Sequence, residues 1–272
     1  MTPQNTVKTF ILPSDGMGPR QCSDRFAVSL PRGRYCVADG VTNSYCGGIF
    51  AGLVCQDFIS EKAPASAWRD DLESEKGRKE VLSEIFEEDC TALEKSLPSS
   101  EAVWLRRMKK RHVHGATTLA GITLEGNLIH YSVSGDSCLW IRKTSGDTLC
   151  IPAVESFTDM TEALTSDWSS VFGTLSGTLP LENGYVILAT DALSAWMKRM
   201  TSSGEDPFTM LYSIPDQESF AIFIRDIRDG KGSEPLGDDD VCAIIMKIGD
   251  PEGDFALLSD PFTERLDALL EE

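Results

Sequence analysis

Single aspartates punctuate this chain where short apolar runs begin or end. Asp24 precedes the run at 26–30, Asp39 closes the run at 35–38, and Asp136 follows 128–133. Asp191 follows 185–189, and Asp238, Asp239 and Asp240 stand just before 241–248. Hard divalent cations take several carboxylate oxygens converging from rigid elements, and the ends of strands supply such positions. Ions held in this way lower the pKa of water and offset negative charge on a substrate. An aspartate beside a strand is also an ordinary turn residue, because its side chain bonds local backbone. Its neighbours decide between the two readings.

The elements that must carry these aspartates are legible from periodicity. Runs at 9–12, 26–30 and 35–38 are apolar and rich in β-branched residues, with breaks at Ser14-Asp15-Gly16 and Pro31-Arg32-Gly33 between them. They predict strands joined by turns. Residues 47–61 place Ile49, Phe50, Leu53, Val54 and Phe58 at helical spacing, and 74–95 repeats the pattern with charges on the opposite face. A third helix is expected over 102–110. The run at 117–123, the turn Glu125-Gly126-Asn127 and the run at 128–133 predict a hairpin, followed by a strand through Trp140 and Ile141. Residues 152–180 are polar and weakly periodic, which predicts an irregular, flap-like surface segment. Runs at 185–189 and 241–248 predict buried strands flanking a helical region that includes 220–228. Trp104, Trp140 and Trp196 sit beside apolar residues and are expected in the core. With no repeat and no linker, the 272 residues read as one α+β domain.

Charge and composition remove several function classes. A formal net charge of −18 argues against nucleic acid as a partner, because phosphate backbones are held by surplus Lys and Arg. No stretch reaches the roughly 20 apolar residues of a membrane span, and the first residues lack the plan of a signal peptide, so a cytoplasmic protein is expected. The eight cysteines never form a CxxC pair, which predicts free thiols in a reducing compartment and not a zinc site. The basic run Arg106, Arg107, Lys109, Lys110 and Arg111 reads as a solvated helix end, with an acidic or phosphorylated partner as the alternative.

The neighbourhoods of the aspartates resemble, in order, the type 2C or metal-dependent protein phosphatases in their short bacterial-like form. Arg20-Gln21-Cys22-Ser23-Asp24-Arg25 is similar to the opening motif, and Val37-Ala38-Asp39-Gly40-Val41 to the apolar-Asp-Gly signature. Gly115-Ala116-Thr117-Thr118 and Gly135-Asp136-Ser137 resemble the small-residue strand and the Gly-Asp-Ser turn. Ala189-Thr190-Asp191-Ala192 and Asp239-Asp240-Val241 stand where the family has its late aspartates. The resemblance implies a four-layer αββα sandwich, two antiparallel β-sheets flanked by helices, with a metal cleft at one end. It implies Mn or Mg, two ions, held by Asp39, the Gly40 carbonyl, Asp191 and Asp239, with Asp24 and, at a third site, Asp136. Arg20 would bind the phosphate. The implied reaction is hydrolysis of phosphoserine or phosphothreonine on a protein by metal-bound water, which needs no Ser, Cys or His nucleophile.

The match departs from the family at three places. Ser23 stands where an acidic pair has its first member, Arg20 lies one residue nearer Asp24 than usual, and Ala195 replaces an aspartate four positions after Asp191. These departures motivate the alternative of a catalytically weak or inactive regulator that binds a phosphoprotein or a cognate kinase. A small-molecule phosphate is a further alternative, since substrate choice lives in loop shape. His112, His114 and His130 match no family histidine and are not expected to act as general acids.

Overall fold

The computed structural model describes residues 5–18, 21–75, 77–154, 157, 162–169 and 174–258. Strand β12 (Val241–Ile248) shows why this sequence forms layers. All of it is buried except Lys247. Val241, Ala243 and Ile245 belong to one apolar cluster, whereas Cys242, Ile244 and Met246 belong to another. A strand apolar on both faces must sit inside a sheet that is covered on both sides.

The sheet around it also contains β1 (Asn5–Leu12), β7 (Cys138–Lys143), β8 (Thr148–Ile151), β11 (Gly184–Ala189) and β13 (Phe255–Leu257). Their order is β13-β1-β12-β11-β7-β8, antiparallel throughout except for the edge pair of β1 and β13. The second sheet is formed by β2 (Arg25–Ser29), β3 (Arg34–Ala38), β5 (Leu119–Glu125), β6 (Leu128–Ser134) and β10 (Leu175–Pro180). Its order is β10-β6-β5-β3-β2, all antiparallel. Val7, Val37, Ile122, Val186, Leu188 and Ile244 fill the space between the sheets.

Helices cover the two outer faces. Against the second sheet lie α1 (Gly47–Ser60), α2 (Trp68–Ser74), α3 (Arg78–Ser96) and α4 (Ser99–Lys110), through a cluster containing Cys36, Phe50, Phe58, Trp68, Phe86 and Leu105. Against the first lie α5 (Asp191–Ser202), α6 (Pro207–Ser213) and α7 (Gln217–Arg228), through Trp196, Phe208, Phe220 and Ile224. The architecture is the expected four-layer αββα sandwich.

Four local expectations need correction. The segment 152–180 is not irregular throughout: β10 pairs with β6 over six residues, and a short β9 (Leu164–Thr165) pairs with β4 (Ala116–Thr117). β10 is an edge strand with no fully buried residue, so its membership rests on backbone hydrogen bonds that leave little hydrophobic signature. Residues 155–156, 158–161 and 170–173 of that segment lie outside the described residues. The strand expected over 117–123 is broken at Thr118, and the helix expected over 74–95 is split before α3 at Gly77, whose φ of +87° favours glycine. Trp140 and Trp196 are in the core, but Trp104 is 49% exposed.

The basic run ends α4, where Arg106 and Lys109 pair with Glu94 and Glu87 of α3. The eight cysteines are free thiols. No helix among the described residues is long and apolar enough to cross a membrane.

Candidate metal centre

β3 delivers Asp39 to the open end of the sandwich, and the break at Thr118 holds it there. The Asp39 carbonyl accepts from the Thr118 backbone N–H at 2.9 Å and from Thr117 Oγ1 at 2.8 Å. The Asp39 N–H donates to Thr118 Oγ1 at 3.1 Å, and that hydroxyl also meets Ser137 Oγ at 2.6 Å. Gly40 follows under a tight constraint, because a Cβ there would come within 2.5 Å of the Gly47 backbone. Only glycine lets the strand end pass so close to the start of α1.

Asp136 is placed by the same threonine. Gly135 has φ +78°, and a Cβ on it would strike Thr118 at 2.7 Å, so the Gly-Asp-Ser turn packs directly on the Asp39 support. Asp191 is the first residue of α5, its Oδ1 accepting from the Ala192 N–H at 2.6 Å. The preceding Thr190 does not cap the helix with its side chain. Its hydroxyl donates to Asp24 Oδ2 at 2.7 Å and accepts from the Cys242 N–H at 2.9 Å, tying the β2, β11 and β12 ends together. Asp24 is buried, at 1% exposure, and Arg25 fixes its turn by donating to the Cys22 and Asp24 carbonyls. Asp239 is exposed in the cleft, whereas its neighbour Asp240 accepts from the Ser14 and Ser23 N–H groups at 2.8 and 2.6 Å.

The five cleft carboxyls share one electrostatic field. Desolvation first, and then Asp239 and Asp136, push Asp39 up to about 7. Desolvation and the charges of Asp39, Asp136 and Asp239 push Asp191 up to about 8. Asp136 is raised to about 6, mainly by desolvation, and desolvation also raises Asp239. Asp24 lies well above the ordinary range through burial and the charge of Asp39.

This donor set suits hard divalent cations. The side-chain donors are all carboxylate oxygens, their charges oppose one another, and Asp136 Oδ1 is buried with no hydrogen-bond partner. Among the described residues, no three His, Cys, Asp or Glu side chains are drawn together at ligand spacing. A bound cation's charge would offset the mutual repulsion of these carboxylates.

The structure brings Asp24, Asp39, Gly40, Asp136, Asp191 and Asp239 to one end of the sheets. Arg20 lies outside the described residues. Ser23 contributes a backbone N–H to Asp240. Ala195 borders the same cleft of about 230 Å³ as Asp191 and Asp239. The histidines stand on other business: His130 Nδ1 meets Thr178 Oγ1, and His114 lies 3.6 Å from Asp167. Thr118, Ser137 and Thr190 are supporting residues to which the sequence reading gave no role. Their only signal was adjacency to the motif aspartates. Asp240, counted from the sequence among the strand-end acids, turns out to support the backbone of Ser14 and Ser23.

No family model and no curated protein sequence matches the chain. Its fold is nonetheless that of the type 2C serine/threonine phosphatases. PppA, described as a key regulatory component of T6SS in Pseudomonas aeruginosa, is 15% identical with a TM-score of 0.57, covering 89% of this chain and 97% of that one. The serine/threonine phosphatase PstP/Ppp of Mycobacterium tuberculosis is 15% identical with a TM-score of 0.54, covering 90% and 98%. The catalytic domain of PstP in complex with two manganese ions is 16% identical with a TM-score of 0.53, covering 90% and 100%.

Proposed function

We propose that the chain is a Mn- or Mg-dependent protein serine/threonine phosphatase. The observation that carries this reading is the gathering of Asp39, Asp136, Asp191 and Asp239 at the open end of a type 2C sandwich, each with its carboxyl pKa raised by its surroundings. Asp39, the Gly40 carbonyl, Asp191 and Asp239 would hold two ions, with Asp24 behind them and Asp136 beside a third position. When bound, the ions supply Lewis-acid charge that offsets the phosphoryl oxygens and lowers the pKa of water at the site.

The chain's own residues do the positioning on which phosphoryl transfer depends. Thr117 and Thr118 hold the Asp39 backbone at one angle, and the Thr190 hydroxyl orients Asp24. Asp240 ties the backbone of Ser14 and of Ser23 to the start of β12. Arg20 is proposed to bind the phosphate. The whole chain would act as a single domain on phosphoproteins of a signalling pathway, opposite a cognate kinase, and its free thiols suit the reducing cytoplasm.

The direct test is turnover of a phosphoserine peptide and of a chromogenic aryl phosphate with Mn, Mg or chelator. Turnover that requires Mn or Mg is expected. Full turnover in excess EDTA, or none under any metal, contradicts the reading.

A further inference from the structure

Helix α5 sets Asp191, Ala195 and Arg199 at four-residue intervals, and so along one face. All three border the cleft of about 230 Å³ that also contains Asp239. Beside it runs a larger groove of about 510 Å³, whose walls share Ala195 and Arg199 with the cleft and continue to Ser202, Ser203 and Glu234. Arg199 therefore stands at the junction between the aspartate site and an open channel. The small side chain of Ala195 keeps the passage clear.

The Arg199 side chain is 41% exposed. Its Nη2 donates to the Pro235 carbonyl at 2.6 Å, and its Nε lies 3.5 Å from Glu234 Oε2. A guanidinium has five N–H donors, more than these two partners use. The adjacent Lys198 also lines the groove but donates to the Val154 carbonyl, and Arg199 is the cation that borders both the groove and the aspartate cleft.

We propose that Arg199 and this groove form a recognition subsite for an acidic side chain of the substrate protein, separate from the phosphoryl position among the aspartates. This rests on the phosphatase reading and deepens it. Eight helical residues separate Asp191 from Arg199, about 12 Å at 1.5 Å each, and long helical side chains lean back toward the N-terminus. An extended peptide covers that reach in about two to four residues at roughly 3.3 Å each. The acid recognised therefore lies within about four residues of the phosphorylated one. A molecule with a formal charge of −18 repels acidic peptides at long range, so one cation at the cleft exit decides whether such a peptide is accepted. The exposed ion pair with Glu234 is weak enough for a substrate carboxylate to replace it.

The test uses the full chain with Mn and two phosphoserine peptides, one with glutamates two to four residues from the phosphoserine and one with alanines there. The ratio of their kcat/KM values is read for wild type, Arg199→Gln and Glu234→Gln, together with anisotropy titrations of the labelled peptides. Wild type is expected to favour the acidic peptide by about tenfold, mainly through KM. Arg199→Gln should bring the ratio close to one, and Glu234→Gln should preserve or enlarge it. A wild-type ratio near one, or an unchanged ratio in Arg199→Gln, overturns the subsite. The titrations read the same preference without turnover, so absent hydrolysis of both peptides counts against the phosphatase reading alone.

Discussion

Asp39 has no direct substitute in this cleft, because its carboxyl feels Asp239, Asp136, Asp24 and Asp240 at once. Asp39→Asn is expected to leave the fold intact and lower metal-dependent turnover by at least about 100-fold, the scale set by losing a central electrostatic group. Circular dichroism beside initial rates checks it, and wild-type rates in a folded variant would remove Asp39 from the metal set. Ala195 offers the converse experiment. It borders the cleft with Asp191 and Asp239, so Ala195→Asp is expected to add a weak Mn site and to raise turnover at high Mn. Calorimetric titration with the same stoichiometry and the same rates as wild type would contradict this. The carboxyls also predict a pH dependence. Asp39 and Asp191 are raised to about 7 and about 8 in the folded state from an ordinary value of 3.8. Between these limits the folded chain binds more protons than the unfolded chain, so stability falls as pH rises and the loss is complete above about pH 8. In EDTA the melting temperature should therefore drop between about pH 4 and about pH 8, and less steeply in Asp191→Asn. A flat or rising profile would mean that these groups are not desolvated together.

At the scale of elements, the site depends on places where regular structure stops. β4 and β5 are separated by Thr118, whose hydroxyl accepts from the Asp39 N–H and meets Ser137 Oγ. Asp240 performs a similar service between a loop and a strand by accepting two backbone N–H groups. Asp240→Ala leaves both donors unpaired, and a loss of about 1–3 kcal/mol per donor is expected, read by denaturant melts. A loss well below 1 kcal/mol would show that water replaces the carboxylate without cost. The sequence marked Asp240 only as one of three consecutive acids. Its role depends on contacts more than 200 positions away, and no local pattern encodes those.

Across the whole molecule, acidic charge concentrates its consequences in the cleft, where desolvated carboxylates oppose one another. Binding of a divalent ion to the folded state alone should raise the melting temperature with concentration, following the usual linkage relation. Mn is expected to stabilise the chain far more than sodium chloride at equal ionic strength, and EDTA should reverse the effect. Equal shifts from both salts would indicate general screening of the formal charge of −18 and no specific site.

The sequence by itself determined the strands and helices and the place of the acids along them. Continuous apolar runs in β12 and β11, helical spacing in α1 and α7, and aspartates at the ends of buried runs are local patterns written within ten or fifteen residues. The tertiary structure alone decided which acids face the cleft, because that depends on register between strands far apart in the chain. It separated Asp239, open to the cleft, from Asp240, bound to Ser14 and Ser23. It joined Asp24 to Thr190 across 166 positions. It also recruited the polar stretch at 175–180 as an edge strand, since backbone hydrogen bonds to β6 need no apolar side chains to signal them.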